Sequence, residues 1–293
     1  MGAVPELPEI ETTLRRLGEA VNGASIRSAR TEGINTLKSV DPPLAELAGA
    51  RITTLWRRGK QIVVESDRDI ALLIHLMSAG RLQLYEGPEK VPPRPRGPRR
   101  GDRSLRLVVA LEDGRELRLR EFGSKQSAWV RPLRSSELAD QATFGNLGPE
   151  AWPDPPDFGP LLDHPRPLHS LLRDQHVIAG IGRSWADEIL WSAQLSPFKR
   201  GSDLDPGEAA RLREATVGRL AAAIDHYESV LTIPIPNKLP MPLEVHGREG
   251  DPCPRCGTEL KSVHFEDYTI AYCPDCQTGG QVLKDRRLSR VLK

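Results

Sequence analysis

The sequence predicts an α+β multidomain chain: a mainly β region led by one helix, then a helical region, then a small cysteine-bearing module at the C-terminal end. Three observations predict it. Apolar residues at Ile10, Leu14, Leu17 and Val21 repeat at helical spacing after Pro8, and short β-type runs follow between about residues 50 and 131. Beyond a proline-rich stretch, Pro149 to Pro167, helical spacing returns. Near the end, Cys253-Pro-Arg-Cys256 and Cys273-Pro-Asp-Cys276 are two CxxC knuckles separated by sixteen residues.

The first helix opens at Pro8 and Asn22-Gly23 closes it. Strand runs are expected at Ile52 to Trp56, Gln61 to Glu65, Ile70 to Leu76, Leu105 to Leu111 and Glu116 to Phe122, with Asp113-Gly114 as a hairpin turn between the last two. Residues 86 to 103 interrupt this region with five prolines and six basic against three acidic residues. A solvated, flexible insertion is favoured there over a phosphate-contacting arm. Helices are expected from Leu168 to Gln175, through Ile181, Trp185 and Ile189, and through Leu212, Leu220 and Ile224. Asp205-Pro206-Gly207-Glu208 supplies the last with an N-cap, a proline at N1 and a Glu at N3. The prolines at 234, 236, 240 and 242 mark a further linker. Domain limits are placed at 1–135, 136–240 and 241–293.

Composition bounds the function. The chain has 293 residues and a formal net charge of +1, so any nucleic-acid surface must be local. No apolar run approaches the roughly 18 residues of a membrane span, and no signal peptide opens the chain. A reducing cytoplasm is the expected location, where four cysteines act as metal ligands rather than disulfides. Their spacing is that of a tetrahedral four-thiolate zinc ribbon, a closed and therefore structural site that holds residues 257 to 272 as a hairpin.

Pro5-Glu6-Leu7-Pro8-Glu9 carries the chemistry. An N-terminal proline is a secondary amine that can attack an electrophilic sugar carbon, whereas the same nitrogen inside a chain is an inert amide. Met1-Gly2-Ala3-Val4 precedes Pro5 here. Val4 is what a GTG codon reads by rule, and GTG at a bacterial start is read as methionine. Initiation there, followed by methionine removal, would expose Pro5. Elsewhere, Gly180-Ile-Gly182-Arg183 before a helix suits a phosphate or is only a tight turn. Arg57-Arg58-Gly59-Lys60 forms a basic turn with no acid within it. Arg118, Arg120 and Phe122 alternate onto one strand face, where an arginine and a phenylalanine could wedge into a duplex that has lost a base, or where the Phe simply packs.

Together, PELPEIE, the RRGK turn, His75-Leu-Met-Ser-Ala-Gly80, Arg120-Glu-Phe122-Gly, GIGRSWADEILW and CPRCG…YCPDCQ resemble the formamidopyrimidine-DNA glycosylase/endonuclease VIII family, in the family's order from residue 5 to about 277. The resemblance implies an N-terminal β-sandwich, a helix-two-turns-helix domain and a zinc-ribbon finger. It implies a DNA repair glycosylase and AP lyase that acts as a monomer on double-stranded DNA containing a damaged base or abasic site, with one structural zinc on Cys253, Cys256, Cys273 and Cys276. By the same resemblance Pro5 is the nucleophile at C1′, Glu6 protonates the sugar ring oxygen and Glu9 supports the site. Lys60 and His75 contact phosphate, and Arg120 and Phe122 fill the gap left by the extruded nucleotide.

This sequence departs from the family pattern at four places. Arg183 stands where many members have asparagine, Tyr268 where the finger has arginine, and Ser78 where a void-filling methionine falls, with Met77 adjacent. Residues 228 to 244 are short for the loop that cups an oxidised purine. After the finger, Lys284, Arg286, Arg287, Arg290 and Lys293 against Asp285 form a basic tail that could reach phosphates or be a solvated end. The blocked proline and altered contacts leave a non-catalytic lesion-binding protein open. A zinc-ribbon assembly factor fits the N-terminal motif poorly.

Overall fold

The computed structural model describes residues 4–33, 35–87, 103–123 and 126–283. Residues 1–3, most of the 86–103 insertion and the basic tail lie outside the described residues. The chain divides into two compact units, residues 1–146 with 227–240, and residues 147–226 with 241–293.

Unit 1 opens with helix α1 (Leu7–Val21). Leu7, Ile10, Leu14, Leu17 and Val21 form its buried stripe, and the Asn22 N–H caps it on the Gly18 carbonyl at 3.0 Å. Eight strands follow: β1 (Ile26–Thr31), β2 (Ile52–Arg58), β3 (Gln61–Ser66), β4 (Ala71–His75), β5 (Gly80–Tyr85), β6 (Leu105–Leu111), β7 (Glu116–Glu121) and β8 (Trp129–Leu133). They form two four-stranded antiparallel sheets, ordered β1-β6-β7-β5 and β2-β3-β4-β8, in a β-sandwich. Helix α1 contacts β2 and β5, each the edge strand of its sheet. Ala71 to Ile74 and Arg106 to Leu111 are buried without alternation, because strands covered on both faces have no solvent side.

The Asp113-Gly114 turn joins β6 to β7 as expected, with Gly114 at φ 91°. Strands β1, β5 and β8 are additions to the expected set. In β5 Arg81 and Gln83 alternate with Leu82 and Leu84, yet both polar residues are buried as well, so the side that the pattern marks as solvent-facing is covered.

Unit 2 contains α2 (Phe158–Leu162), α3 (Leu168–Arg173), α4 (Arg183–Ser192) and most of α5 (Pro206–Val230), whose end from Tyr227 belongs to unit 1. The α5 start is a reciprocal capping box. Asp205 Oδ1 accepts the Glu208 N–H at 2.8 Å and Glu208 Oε2 accepts the Asp205 N–H at 3.1 Å. Helix α3 ends at Arg173, two residues earlier than its apolar spacing suggests, since the Asp174 carboxylate caps the following turn through the His176 N–H at 3.0 Å. A hairpin, β9 (Lys261–His264) and β10 (Thr269–Tyr272), and the short α6 (Pro274–Thr278) complete the unit.

Two carboxylates of α4 tie the C-terminal segment to the helices. Glu188, wholly buried, accepts the backbone N–H groups of Glu244, Val245 and His246 at 3.0, 2.8 and 2.9 Å and pairs with Arg219 at 2.8 Å. Burial raises its pKa despite these donors. For buried Asp187, burial pulls the same way, but His169 at 3.2 Å and His246 at 2.7 Å outweigh it and hold the carboxyl below its ordinary value.

Candidate active site

Pro5, Glu6 and Glu9 are all buried at the N-terminus of α1, Glu6 at 1% and Glu9 at 2% exposure. In the chain as written the Pro5 nitrogen is an amide bonded to Val4. Proline at the second helical position starts α1 without wasting a donor. Glu9 Oε2 accepts the Glu6 N–H at 2.9 Å, and Glu9 Oε1 accepts the Tyr227 hydroxyl at 2.7 Å. Burial first, and the nearby Glu6 second, push the Glu9 carboxyl up to about 7. Arg81 of β5 is buried beside them, and burial lowers its pKa although Glu9 and Tyr227 pull it upward.

The β3–β4 register brings Lys60 to His75, since Gln61 pairs with His75. Burial, then the Lys60 charge, drives the His75 pKa down to about 4. The imidazole is therefore neutral. Its Nδ1 accepts the Met77 N–H at 2.9 Å, which leaves the proton on Nε2 as a donor. Its ring stacks on Trp129 with centroids 5.7 Å apart. Met77 holds a left-handed φ of 51° to make this turn, and Ser78 next to it is exposed. Gly80 closes the loop under a steric requirement: a Cβ there would lie 2.3 Å from the Leu76 carbonyl oxygen.

One expectation for the basic groups needs correction. The RRGK turn holds no acid of its own, but α1 presents Glu11 to Arg57 at 2.7 Å and the arginine side chain is only 6% exposed. Arg118 does not share the exposed face of Phe122. It is buried at 2% exposure, pairs with Glu116 at 2.6 Å and lies 4.3 Å over the Tyr85 ring. Arg120 and Phe122 do come together, the guanidinium 5.2 Å from a ring that is 39% exposed. Arg120 is aimed by Tyr85 Oη at 2.9 Å and Ser104 Oγ at 3.0 Å.

Glu11, Tyr85, Trp129 and Tyr227 contact these candidate residues and were given no role from the sequence. Glu11 lies within PELPEIE but meets Arg57 only in the fold, and no local motif marks the other three.

In unit 2, Arg183 is exposed at the start of α4, and its Nη1 donates to the Asp267 carbonyl at 2.8 Å. Its guanidinium lies 5.3 Å from the Tyr268 ring, and that of Arg173 lies 4.3 Å from it. Phe265 stacks on the same tyrosine at 4.5 Å. Beyond the hairpin, the Sγ atoms of Cys253, Cys256, Cys273 and Cys276 all lie within 4.8 Å of one another. Tetrahedral zinc with bonds of about 2.3 Å needs sulfur separations of about 3.8 Å, so the four thiols fit one ion. Trp191 Nε1–H donates to Cys253 Sγ at 3.4 Å, anchoring the knuckle to the core of Val245 and Leu260.

Comparisons with known proteins agree with this architecture. The formamidopyrimidine-DNA glycosylase N-terminal domain matches residues 4–124, its H2TH domain residues 159–234, and the zinc finger found in FPG and IleRS residues 250–279. Formamidopyrimidine-DNA glycosylases of Herpetosiphon aurantiacus and Thermus thermophilus are 32% and 33% identical over 289 and 291 residues, covering 94% of this chain and 100% of each relative. Among solved structures, a Lactococcus lactis FPG mutant with Fapy-dG containing DNA matches at TM-score 0.80 and 26% identity. MutM with carbocyclic 8-oxo-G containing DNA matches at 0.80 and 25%, and both matches cover 94% of this chain and 100% of theirs. The two sheets, the helical region and the four-cysteine zinc finger, matched end to end by these relatives, establish that the chain belongs to the formamidopyrimidine-DNA glycosylase family.

Proposed function

We propose that the chain is a DNA glycosylase and AP lyase that flips an oxidised base out of double-stranded DNA, removes it and cuts the strand by β,δ-elimination. The observation that carries this reading is the buried carboxylate pair, Glu6 and Glu9, directly after Pro5 at the start of α1. Freed of residues 1–4, Pro5 is a secondary amine whose lone pair attacks C1′ while the bond from C1′ to the base breaks and the base leaves with a proton. Glu6 gives a proton to the ring oxygen as the sugar opens, which leaves an iminium between Pro5 and C1′. Loss of a C2′ proton expels the 3′ phosphate, a second elimination expels the 5′ phosphate, and water hydrolyses the iminium to regenerate the amine. C1′ of a stacked nucleotide is out of reach of a protein pocket, so extrusion precedes attack.

In this reading Lys60 and the Nε2–H of His75 hold the phosphate of the extruded nucleotide. Met77, Arg120 and Phe122 occupy the vacated stack, the Phe as an apolar wedge. Arg183 supplies a guanidinium to the backbone where asparagine is usual. The zinc, enclosed by four thiolates, holds structure and takes no part in the chemistry. We take the protein to act as a monomer, with domain limits at 135 and 240.

The test is borohydride trapping on DNA bearing an abasic site, using protein whose intact mass shows a free Pro5. A covalent adduct is expected. Its absence would favour the second reading, a lesion-binding protein without catalysis, which the amide bond from Val4 to Pro5 motivates. Protein that retains residues 1–4 should give no adduct under either reading. Excision from a panel of defined lesion duplexes identifies the base.

A further inference from the structure

The hydroxyl of Tyr227 reaches Glu9 from 218 residues away in sequence. We propose that Tyr227 is a positioning residue for base excision: its O–H fixes Glu9 so that Glu9 keeps hold of the Glu6 N–H and sets Glu6 beside Pro5. The inference rests on the reading of Pro5 and Glu6 above.

Packing alone does not call for that hydroxyl. Tyr227 continues the buried stripe of Leu220, Ala223 and Ile224 on α5 and is itself 0% exposed, so phenylalanine would fill the slot equally well. A buried O–H is kept where it has an acceptor whose orientation matters. Here the acceptor is a carboxylate that takes the Tyr227 hydroxyl on one oxygen at 2.7 Å and the Glu6 amide on the other at 2.9 Å. An ordinary capping box leaves the N3 carboxylate in water on its outer side. This one is 2% exposed and clamped from α5.

The charged groups facing Glu9 are Glu6 from α1, Arg81 from β5 and Tyr227 from α5. With its pKa near 7, Glu9 changes charge around neutral pH. Burial and the neighbouring carboxylates hold the Tyr227 phenol far above its ordinary range, so it stays a donor throughout. Both hydrogen bonds favour the ionised carboxylate. Removal of the phenol therefore shifts Glu9 toward its protonated form at neutral pH.

The experiment uses full-length protein with a verified free Pro5 and compares wild type, Tyr227→Phe, Glu9→Gln and the double variant. Single-turnover excision is followed between about pH 5 and 9, with affinity for a tetrahydrofuran-containing duplex, zinc content and thermal melting alongside. Tyr227→Phe should bind the duplex within about twofold, excise roughly tenfold more slowly near pH 7, and show its rising pH limb displaced upward by about one unit. Adding Tyr227→Phe to Glu9→Gln should cost little more, because the two act as one unit.

An unchanged rate and profile in Tyr227→Phe would overturn the inference. So would a loss that tracks melting and binding with no displacement of the profile. If Tyr227→Phe does not fold, Glu9→Gln decides: a displaced pH profile and slower excision at unchanged duplex affinity support the inference, and a rate and profile equal to wild type overturn it, since Tyr227 acts only through Glu9. Wild type that gives no borohydride adduct defeats the Pro5 reading itself. An adduct from wild type with an unchanged Tyr227→Phe profile defeats only the role of Tyr227.

Discussion

The guanidinium of Arg183 lies 5.3 Å from the Tyr268 ring and donates to the Asp267 carbonyl at 2.8 Å. An arginine at the head of α4 is thereby held by the tip of the β9–β10 hairpin. Arg173 approaches the same ring from α3, so the tyrosine is a shared cation–π platform for two cations.

If these arginines meet phosphates, Arg183→Ala should weaken DNA binding about equally for all sequences and reduce the salt slope by about 1. Tyr268→Ala should loosen both guanidiniums and weaken binding by roughly five- to tenfold, a loss of about 1 kcal/mol or slightly more. Fluorescence anisotropy at several salt concentrations measures both.

Zinc removal should be visible from inside the molecule. The Trp191 indole donates to Cys253 Sγ, and the Arg255 guanidinium lies 4.4 Å from its ring. A chelator should release one zinc per chain, change tryptophan emission and lower the melting temperature. Cys256→Ser should give the same changes more mildly. Metal quantitation beside fluorescence checks the stoichiometry.

Glu188 carries three backbone amides and Arg219 without solvent. Glu188→Ala strands the three amides, while Arg219 keeps Glu244 at 3.1 Å, and should cost on the order of 3 kcal/mol or more. Glu188→Gln, which retains an acceptor, should cost less. Urea unfolding separates the two.

Stability should respond to pH in two opposed ways. His75 stays neutral in the fold down to about pH 4, while the unfolded residue takes up a proton near 6.5. Between these values the unfolded chain binds more protons, so His75 makes stability rise with pH by on the order of 3 kcal/mol across the window. Glu9 keeps its proton in the fold up to about 7 but loses it near 4.5 when unfolded. Its contribution is present below 4.5 and falls as pH rises through 7. His75→Gln should flatten the first dependence and Glu9→Gln the second, as followed by denaturation at each pH.

Gly80→Ala tests the loop that carries Met77. Its new methyl would meet the Leu76 carbonyl at 2.3 Å, so the turn must open, at a cost of about 2 kcal/mol or more. The His75 imidazole resonances should shift with it.

Features that depend on short spacing were legible in the sequence. The two CxxC knuckles, the proline and carboxylates opening α1, the Asp113-Gly114 turn and the α5 capping box each involve residues that local geometry brings together. Family resemblance then carried the sandwich and the helix-two-turns-helix domain. The folded chain alone assigns the partners. It gave Glu11 to Arg57, buried Arg118 against Glu116 and Tyr85, and aimed Arg120 with Tyr85 and Ser104. It also turned β5 into a strand whose Arg81 and Gln83 are buried, the amide of Gln83 donating to the Ile235 carbonyl and, at 3.0 Å, to Asn237 Oδ1. A polar residue in a periodic pattern reads as solvent-facing, because the pattern holds no record of the distant donor or acceptor that makes its burial affordable. Tyr227 and Glu9 are the extreme case, since a hydroxyl and a carboxylate meet only once the chain between them has folded.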